Sequence, residues 1–312
     1  MDNLEKSILQ TLIFYDILEK PLTALEIFRY LPVQNRLVSF FELKQVLANS
    51  PEIKKLTEES RGLYFLSGQA DLIEKREKRI KESQLKLKKL KEISWVLFFV
   101  PFLKMAALTG SLTLQNAKMS SDFDLLVVVK EGRLWTSRAF LILITQILGL
   151  RRYGQKTRDR FCLNCFLSQK HLKIEKEAKA RDFFSAQEYG RLIPILENKP
   201  EIARDFFKEN RWISEFINFF PWPQNFLSKK EVSYFKKFPV RILEWMLENR
   251  LGERLEEKLG SWQSRRINSK LSLSPEDQIF VGSQCLIFHP QSKSEKILRA
   301  SHQKEKLLIN RL

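Results

Sequence analysis

The sequence contains little cysteine, histidine, glycine or proline. Three Cys in 312 residues are too few for the disulfide framework of a secreted domain, and they favour a reducing, cytoplasmic environment. Ten Gly and eleven Pro exclude collagen-like and linker-dominated chains. The three His are scattered without a nucleophile motif, so a histidine-based hydrolase has no support. Neither a P-loop nor a Rossmann glycine fingerprint is present.

Long hydrophobic runs are also missing. Two apolar segments, residues 93–103 and 139–150, fall short of the roughly 20 residues that a membrane span requires. We therefore predict buried core elements there and no membrane partner. The first ten residues include acids and no apolar stretch, so we expect no signal peptide.

Acidic residues are fewer than basic residues. The chain has 54 Lys and Arg against 37 Asp and Glu, a formal net charge of +17. Residues 91–180 carry the largest share, with fifteen basic and seven acidic side chains, and residues 151–160 hold five cations opposed only by Asp159. Such charge favours polyanionic partners, including nucleic acid and nucleotide phosphates.

Residues 1–70 have the pattern of three short helices followed by a hairpin. The predicted helices cover 4–18, 24–30 and 40–48, and the predicted strands cover 53–56 and 63–66. This order resembles a winged helix-turn-helix domain, which implies DNA binding through the third helix. That helix offers only Lys44 and Gln45 as good DNA contacts, so a module used for protein contacts or packing is an equal alternative.

The remaining chain divides into three parts, and together they predict an α+β fold. Residues 71–92 form a charged connecting helix, 93–178 a small mixed-sheet core, and 179–312 a mainly helical region whose Lys-rich tail is solvated. Within the last part the pattern predicts helices over 178–196, 201–220 and 240–259, a break at Pro221-Trp222-Pro223 and a strand over 284–288. The polar segments 185–189 and 210–212 are candidate acceptor or base contacts, although helix packing explains them better.

The most informative segment spans residues 105–130. A short apolar strand leads into Gly110 and Ser111, a helix is predicted from 112 to 117, and a second strand over 122–129 begins Asp-Phe-Asp. Alternate residues of a strand share a face, so Asp122 and Asp124 lie together. Two adjacent carboxylates favour a divalent cation, and Mg²⁺ is the natural occupant.

Gly110 and Ser111 complete this constellation. A glycine at a strand end lets the backbone approach a ligand closely, and the N–H groups that begin a helix bind anions. A phosphate cradle beside a metal-binding acid pair is the equipment for phosphoryl or nucleotidyl transfer. The alternative makes Ser111 an N-cap and the two acids turn residues. Asp124 fits that alternative poorly, because an unpaired acid inside an apolar strand is costly.

Thr109-Gly110-Ser111, ten intervening residues and Asp122-Phe123-Asp124-Leu125 resemble the signature of the DNA polymerase β-like nucleotidyltransferase superfamily. The resemblance covers about a fifth of the chain. It implies that Asp122 and Asp124 hold Mg²⁺ and that Gly110 and Ser111 hold the triphosphate of an NTP. The superfamily usually supplies a third carboxylate from the next core strand.

That next strand is predicted over 160–168, and its central polar residue is Asn164 in place of the expected acid. Strand alternation places Cys162 and Phe166 on the face of Asn164 and sends Cys165 to the other face. The two cysteines are then core thiols rather than zinc ligands. Asp159 could substitute for the third acid if the register slips.

Lys156 and Arg158 precede this strand and are candidate contacts to the triphosphate or to RNA, with a solvated loop as the equal alternative.

The sequence supports two candidate functions. The first is Mg²⁺-dependent transfer of an NMP from an NTP to a hydroxyl acceptor on nucleic acid or protein. The second is a DNA-binding regulator with a degenerate, nucleotide-sensing domain. The intact Gly-Ser and Asp-x-Asp set favours the enzyme, and Asn164 favours the regulator.

Overall fold

A computed structural model describes residues 1–33, 38–198, 201–218, 238–269, 278–289 and 294–310. The fold is mixed α+β with a mixed sheet, which confirms the predicted class. The predicted break at Pro221-Trp222-Pro223 lies outside the described residues. Among the residues that are described, no helix combines the length and apolar character needed to cross a membrane.

Helices and strands occur throughout the described ranges of the chain. The α-helices are α1 (Asn3–Ile17), α2 (Ala24–Tyr30), α3 (Phe40–Asn49), α4 (Pro51–Leu56), α5 (Leu72–Ile93), α6 (Leu134–Ile147), α7 (Phe183–Tyr189), α8 (Ile202–Glu209), α9 (Phe238–Leu247), α10 (Arg250–Asn268) and α11 (Ser294–Ile309). Short 3₁₀ helices cover Ser94–Phe99, Gly110–Leu112 and Arg211–Glu215. The strands are β1 (Thr57–Ser60), β2 (Leu63–Leu66), β3 (Leu103–Leu108), β4 (Phe123–Val129), β5 (Phe161–Ser168), β6 (Ile193–Glu197), β7 (Gln278–Val281) and β8 (Cys285–His289).

Six strands form the central sheet in the order β6-β3-β4-β5-β8-β7. Only β4 and β5 pair in parallel, as expected for two strands joined through helix α6. Alternation along β4 divides its side chains between two apolar layers. Phe123, Leu125 and Val127 face one layer with α6, whereas Leu126 and Val128 face the other with α7 and α8. Asp124 belongs to the second face, at the start of the strand.

The described part of residues 179–312 is mainly helical, and it also supplies three of the six strands of the sheet. β6 overlaps the end of the segment predicted as a helix over 178–196. It pairs with β3 at the sheet edge, where Pro194 is tolerated. The strand predicted over 284–288 is confirmed as β8, which pairs with β5. The sheet therefore extends beyond the core boundary predicted at residue 178.

Helix α10 continues past Gly260, where the sequence predicted its end. A Cβ atom at this position would lie 2.9 Å from Cδ1 of Trp135 on α6. Gly260 thus allows two helices to pack closely, and its conformation remains helical.

The N-terminal region contains four helices and the two-stranded sheet β1-β2. The predicted caps are confirmed, since Thr23 and Ser39 each form a capping box with a Glu three residues later. The strand predicted over 53–56 is wrong. Those residues belong to α4, because Ser50 caps a helix that begins at Pro51, and the first strand starts at Thr57.

Buried polar contacts join this N-terminal region to the rest of the protein. The Tyr15 hydroxyl donates to Gln187 on α7 (2.7 Å), and the buried Lys20 ammonium donates to the carbonyl of Leu114 (2.6 Å). The tail predicted to be solvated forms α11, which packs along α1 and places Lys304 on Asp16. Residues 1–70 therefore share a core with helices α7 and α11.

Candidate active site

Asp122 and Asp124 come together at the start of β4, as their alternation predicts. A carboxylate oxygen of each lies within 4.8 Å of the other and of the Cys162 thiol. Both acids are partly buried. Two carboxylates at this separation can share one cation, since oxygen ligands are what Mg²⁺ prefers.

Gly110 places the backbone directly against this acid pair. Its φ of +72° lies in the left-handed region, and a Cβ atom would come within 2.5 Å of Oδ2 of Asp124. The neighbouring Thr109 N–H donates to the Asp124 carbonyl (3.0 Å). Glycine is required here both for the dihedral angle and for the contact.

Ser111 lies in a single 3₁₀ turn, so the α-helix predicted from 112 to 117 is wrong. The turn spans Gly110–Leu112, and the Ser111 carbonyl accepts from the N–H groups of Leu114 and Asn116 (3.2 and 3.0 Å). The Thr113 hydroxyl donates to the Gly110 carbonyl (2.8 Å). These hydrogen bonds fix the loop that follows β3. The first N–H groups of a helical turn have no acceptor within that turn.

We expect Gly110→Ala to lower the free energy of unfolding by about 2–3 kcal/mol, because strain at positive φ adds to the clash with Asp124. Gly132→Ala is the matched control. Gly132 has a φ of +68° but no atom within 4 Å of its Cβ position, so only the strain of about 1 kcal/mol applies. Chemical denaturation of both variants measures the difference. Equal losses would show that Gly110 is not pressed against Asp124.

Asn164 occupies the position expected for the third carboxylate. Its Nδ2 donates to Oδ1 of Asp124 (2.7 Å), and its Oδ1 accepts from the Cys162 thiol (2.7 Å). The amide orients Asp124 without adding charge.

A β-bulge at Asn164 corrects the predicted alternation along β5. Leu163 pairs with Leu125, but Cys165 already pairs with Leu126, which leaves Asn164 as the extra residue. Cys165 therefore lies on the same face as Cys162, and Phe166 lies on the opposite one with Leu125. Cys165 and Cys285 are buried core thiols, whereas Cys162 belongs to the site.

Arg152 is the cation that reaches the acid pair. Its Nη1 lies 2.7 Å from Oδ2 of Asp122 and donates to the Cys162 sulfur at 3.3 Å. The sequence marked this residue as part of a basic turn but not as a site residue. Its position follows from pairing, since the Arg152 N–H donates to the carbonyl of Phe161 at the start of β5 (3.0 Å).

The other predicted cations are placed elsewhere. Lys156 is exposed and closes a backbone turn with Tyr153, and Arg158 pairs with Asp159 (3.4 Å). Asp159 is not a substitute third acid, because the buried Lys86 ammonium holds it at 2.6 Å.

Burial, together with the nearby carboxylates of Asp122 and Glu188, raises the pKa of Asp124 to about 7. The Asn164 amide and Arg152 oppose this rise. Burial and the two aspartates also raise the pKa of Cys162 to about 12, so this side chain is a neutral thiol at pH 7. Glu188 lies in the 185–189 segment, for which the sequence favours helix packing over a substrate contact. Here it contributes negative potential to the site.

This pKa predicts how the stability of the metal-free protein depends on pH. A carboxyl with a folded pKa near 7 against an ordinary value of 3.8 binds its proton more tightly when folded. Its stabilisation is complete below pH 4 and is lost as the pH rises through 7, by on the order of 4 kcal/mol. Denaturation in EDTA between pH 4 and pH 8 should show this loss in the wild type and not in Asp124→Asn. Identical pH profiles would contradict the raised pKa.

Comparisons of the chain with protein-family models, with curated proteins and with solved structures found no match. The functional assignment therefore depends on the residues and geometry of the site.

Proposed function

We propose that the protein is a Mg²⁺-dependent nucleotidyltransferase that moves an NMP from an NTP to a hydroxyl acceptor on nucleic acid or protein. The observation that carries this proposal is the contact of the Gly110 backbone with the carboxylate of Asp124, beside Asp122. The backbone that would bind phosphate and the carboxylates that would hold a divalent cation are thereby adjacent. Nucleotidyl transfer needs both features at one place.

The donor set fits Mg²⁺. Asp122 and Asp124 offer hard carboxylate oxygens. The pKa of Asp124 is elevated first by burial and then by the negative charges of Asp122 and Glu188, which a cation would offset. The neutral Cys162 thiol is a soft group that Mg²⁺ does not favour. When bound, the metal neutralises charge on the triphosphate.

The chain's own groups position the reactants. The N–H groups at Gly110 and Ser111 would donate to phosphate oxygens, and Asn164 holds Asp124 in one orientation through its 2.7 Å hydrogen bond. Arg152 is within reach of Asp122 and would move to the phosphates when a metal takes the carboxylate. The acceptor oxygen forms a bond to the α-phosphorus as the bond to the bridging oxygen breaks. Pyrophosphate leaves with both electrons of that bond, and the hydroxyl proton of the acceptor passes to solvent water.

The test is incubation of the full chain with labelled NTPs, Mg²⁺ and RNA, DNA or protein acceptors. We expect label to be transferred by the wild type and not by the Asp122→Asn/Asp124→Asn double variant. Metal-dependent NTP binding is measured in parallel. If the wild type lacks that binding too, the site assignment fails.

A second candidate is the DNA-binding regulator, in which residues 1–70 act as a winged-helix-like domain and the site senses nucleotides without turnover. Two observations favour it. Asn164 cannot act as a general base, and α3 exposes Lys44 and Gln45 on its outer face. The neighbouring Phe41 is 69% exposed, which suits a protein contact as well as DNA.

Duplex binding separates these functions. Because the N-terminal region shares its core with α7 and α11, the assay uses the full chain. A regulator should shift duplex DNA and lose that shift in Lys44→Gln. An enzyme whose N-terminal module serves packing should transfer label, and Lys44→Gln should transfer as much label as the wild type.

A further inference from the structure

A second group of cations lies on the face of the sheet that α6 and α10 cover. Arg151 and Arg152 alternate along a short segment whose backbone pairs with Phe161 at the start of β5. Arg152 reaches Asp122 on one face, so its neighbour Arg151 is directed to the other. There helix α6 contacts α10 through the hydrogen bond from Arg138 to Gln263. Burial and the positive charge of Arg266 on α10 lower the pKa of Arg151, and Arg151 in turn acts on Arg138.

These three guanidinium groups have no carboxylate partner among the described residues. Arg138 stacks on the Phe288 ring (4.9 Å to the centroid) and donates to Gln263, while its buried Nε lacks a hydrogen-bond acceptor. Burial and the charge of Arg151 lower the pKa of Arg138 to about 10. Like charges gathered without acids favour an anionic ligand.

Exposed aromatic rings flank the arginines. Tyr153 is 71% exposed and lies close to Arg151, and Trp262 is 55% exposed with the Arg266 guanidinium 5.5 Å from its ring centroid. Rings beside guanidinium groups allow bases to stack while phosphates meet positive charge. Duplex DNA and inorganic polyphosphate can contact the guanidinium groups, but they offer no unpaired base to stack on the aromatic rings.

We propose that the surface formed by Arg151, Tyr153, Trp262 and Arg266 binds single-stranded nucleic acid. This inference goes beyond the proposed function, because the surface lies on the other face of the sheet from Asp124 and needs neither metal nor NTP. Should the transferase act on nucleic acid, the adjacent Arg151 and Arg152 would connect this surface to the acid pair.

Fluorescence anisotropy of the full chain with labelled single-stranded RNA and DNA 15-mers, in EDTA and without NTP, tests the proposal. Trp262→Ala should weaken binding by about 5- to 100-fold, the scale of one lost base stack, at an unchanged salt slope. Arg266→Gln should make the slope of log K against log salt less negative by about 0.7, the value for one phosphate contact on a single strand. Both side chains are exposed, so both variants should fold.

Arg204→Gln is the matched control, since Arg204 is 63% exposed on α8 of the opposite face and the change in net charge is the same. Its binding should equal that of the wild type. Tyr153→Ala provides a second stacking variant and should also weaken binding. The proposal is overturned if both stacking variants bind like Arg204→Gln, or if a duplex or polyphosphate binds as tightly as the single strand. Because no metal or NTP is present, this result is independent of nucleotidyl transfer.

Discussion

Asp122→Asn should reduce NMP transfer by about 10³-fold or more, the scale on which removing a group that stabilises charge in the transition state lowers turnover. The substitution would remove a proposed metal ligand and also release Arg152, whose Nη1 lies 2.7 Å from Oδ2 of Asp122. The rate is measured as pyrophosphate release and as label on the acceptor. The folded state should survive, since Asn has the shape of Asp and the site is partly exposed.

The control for this substitution is Asp205→Asn, which makes the same chemical change at a residue 46% exposed on α8. It should transfer label at the wild-type rate. If Asp122→Asn keeps more than a tenth of the activity, the metal-binding role of this carboxylate is wrong.

Asn164→Asp should have the second large effect. It replaces the Nδ2 donor, 2.7 Å from Asp124, with a like-charged carboxylate. Losing a buried partner and gaining a repulsive charge costs about 3–5 kcal/mol in the metal-free protein at pH 8. A cation that binds three carboxylates relieves this cost, so Mg²⁺ should raise the melting temperature of the variant more than that of the wild type.

The same substitution distinguishes the two candidate functions. Restoring the third acid should increase NMP transfer if Asn164 limits turnover in a working enzyme. Asn268→Asp controls for the added charge, because Asn268 is exposed at the end of α10 and the change should cost less than about 1 kcal/mol. A stability loss no larger than in this control, with no added response to Mg²⁺, would contradict the placement of Asn164 beside Asp124.

Local patterns predicted the parts of the site that depend on neighbouring residues in the chain. The proximity of Asp122 and Asp124 follows from strand alternation, and the need for a flexible residue at Gly110 follows from the strand end. The N-terminal helix caps could also be predicted, since each capping box lies within four residues. Such features require no knowledge of the tertiary fold.

Features set by pairing between distant segments could not be predicted in this way. The bulge at Asn164 shifts the alternation of β5, and only its register against β4 reveals it. Arg152 reaches Asp122 because its backbone joins the start of β5. Likewise β6 is a strand because the β3 edge is available to pair with it, although its local sequence suited a helix.

The central claim is that Asp122 and Asp124, against Gly110, form a Mg²⁺–NTP site. Equilibrium binding of labelled NTP to the full chain in Mg²⁺ and in EDTA tests it most directly, with the Asp122→Asn/Asp124→Asn variant alongside. We predict that the wild type binds NTP in Mg²⁺ but not in EDTA, and that the variant binds NTP under neither condition. Equal binding in EDTA, equal binding by the variant, or no binding by the wild type would contradict the claim.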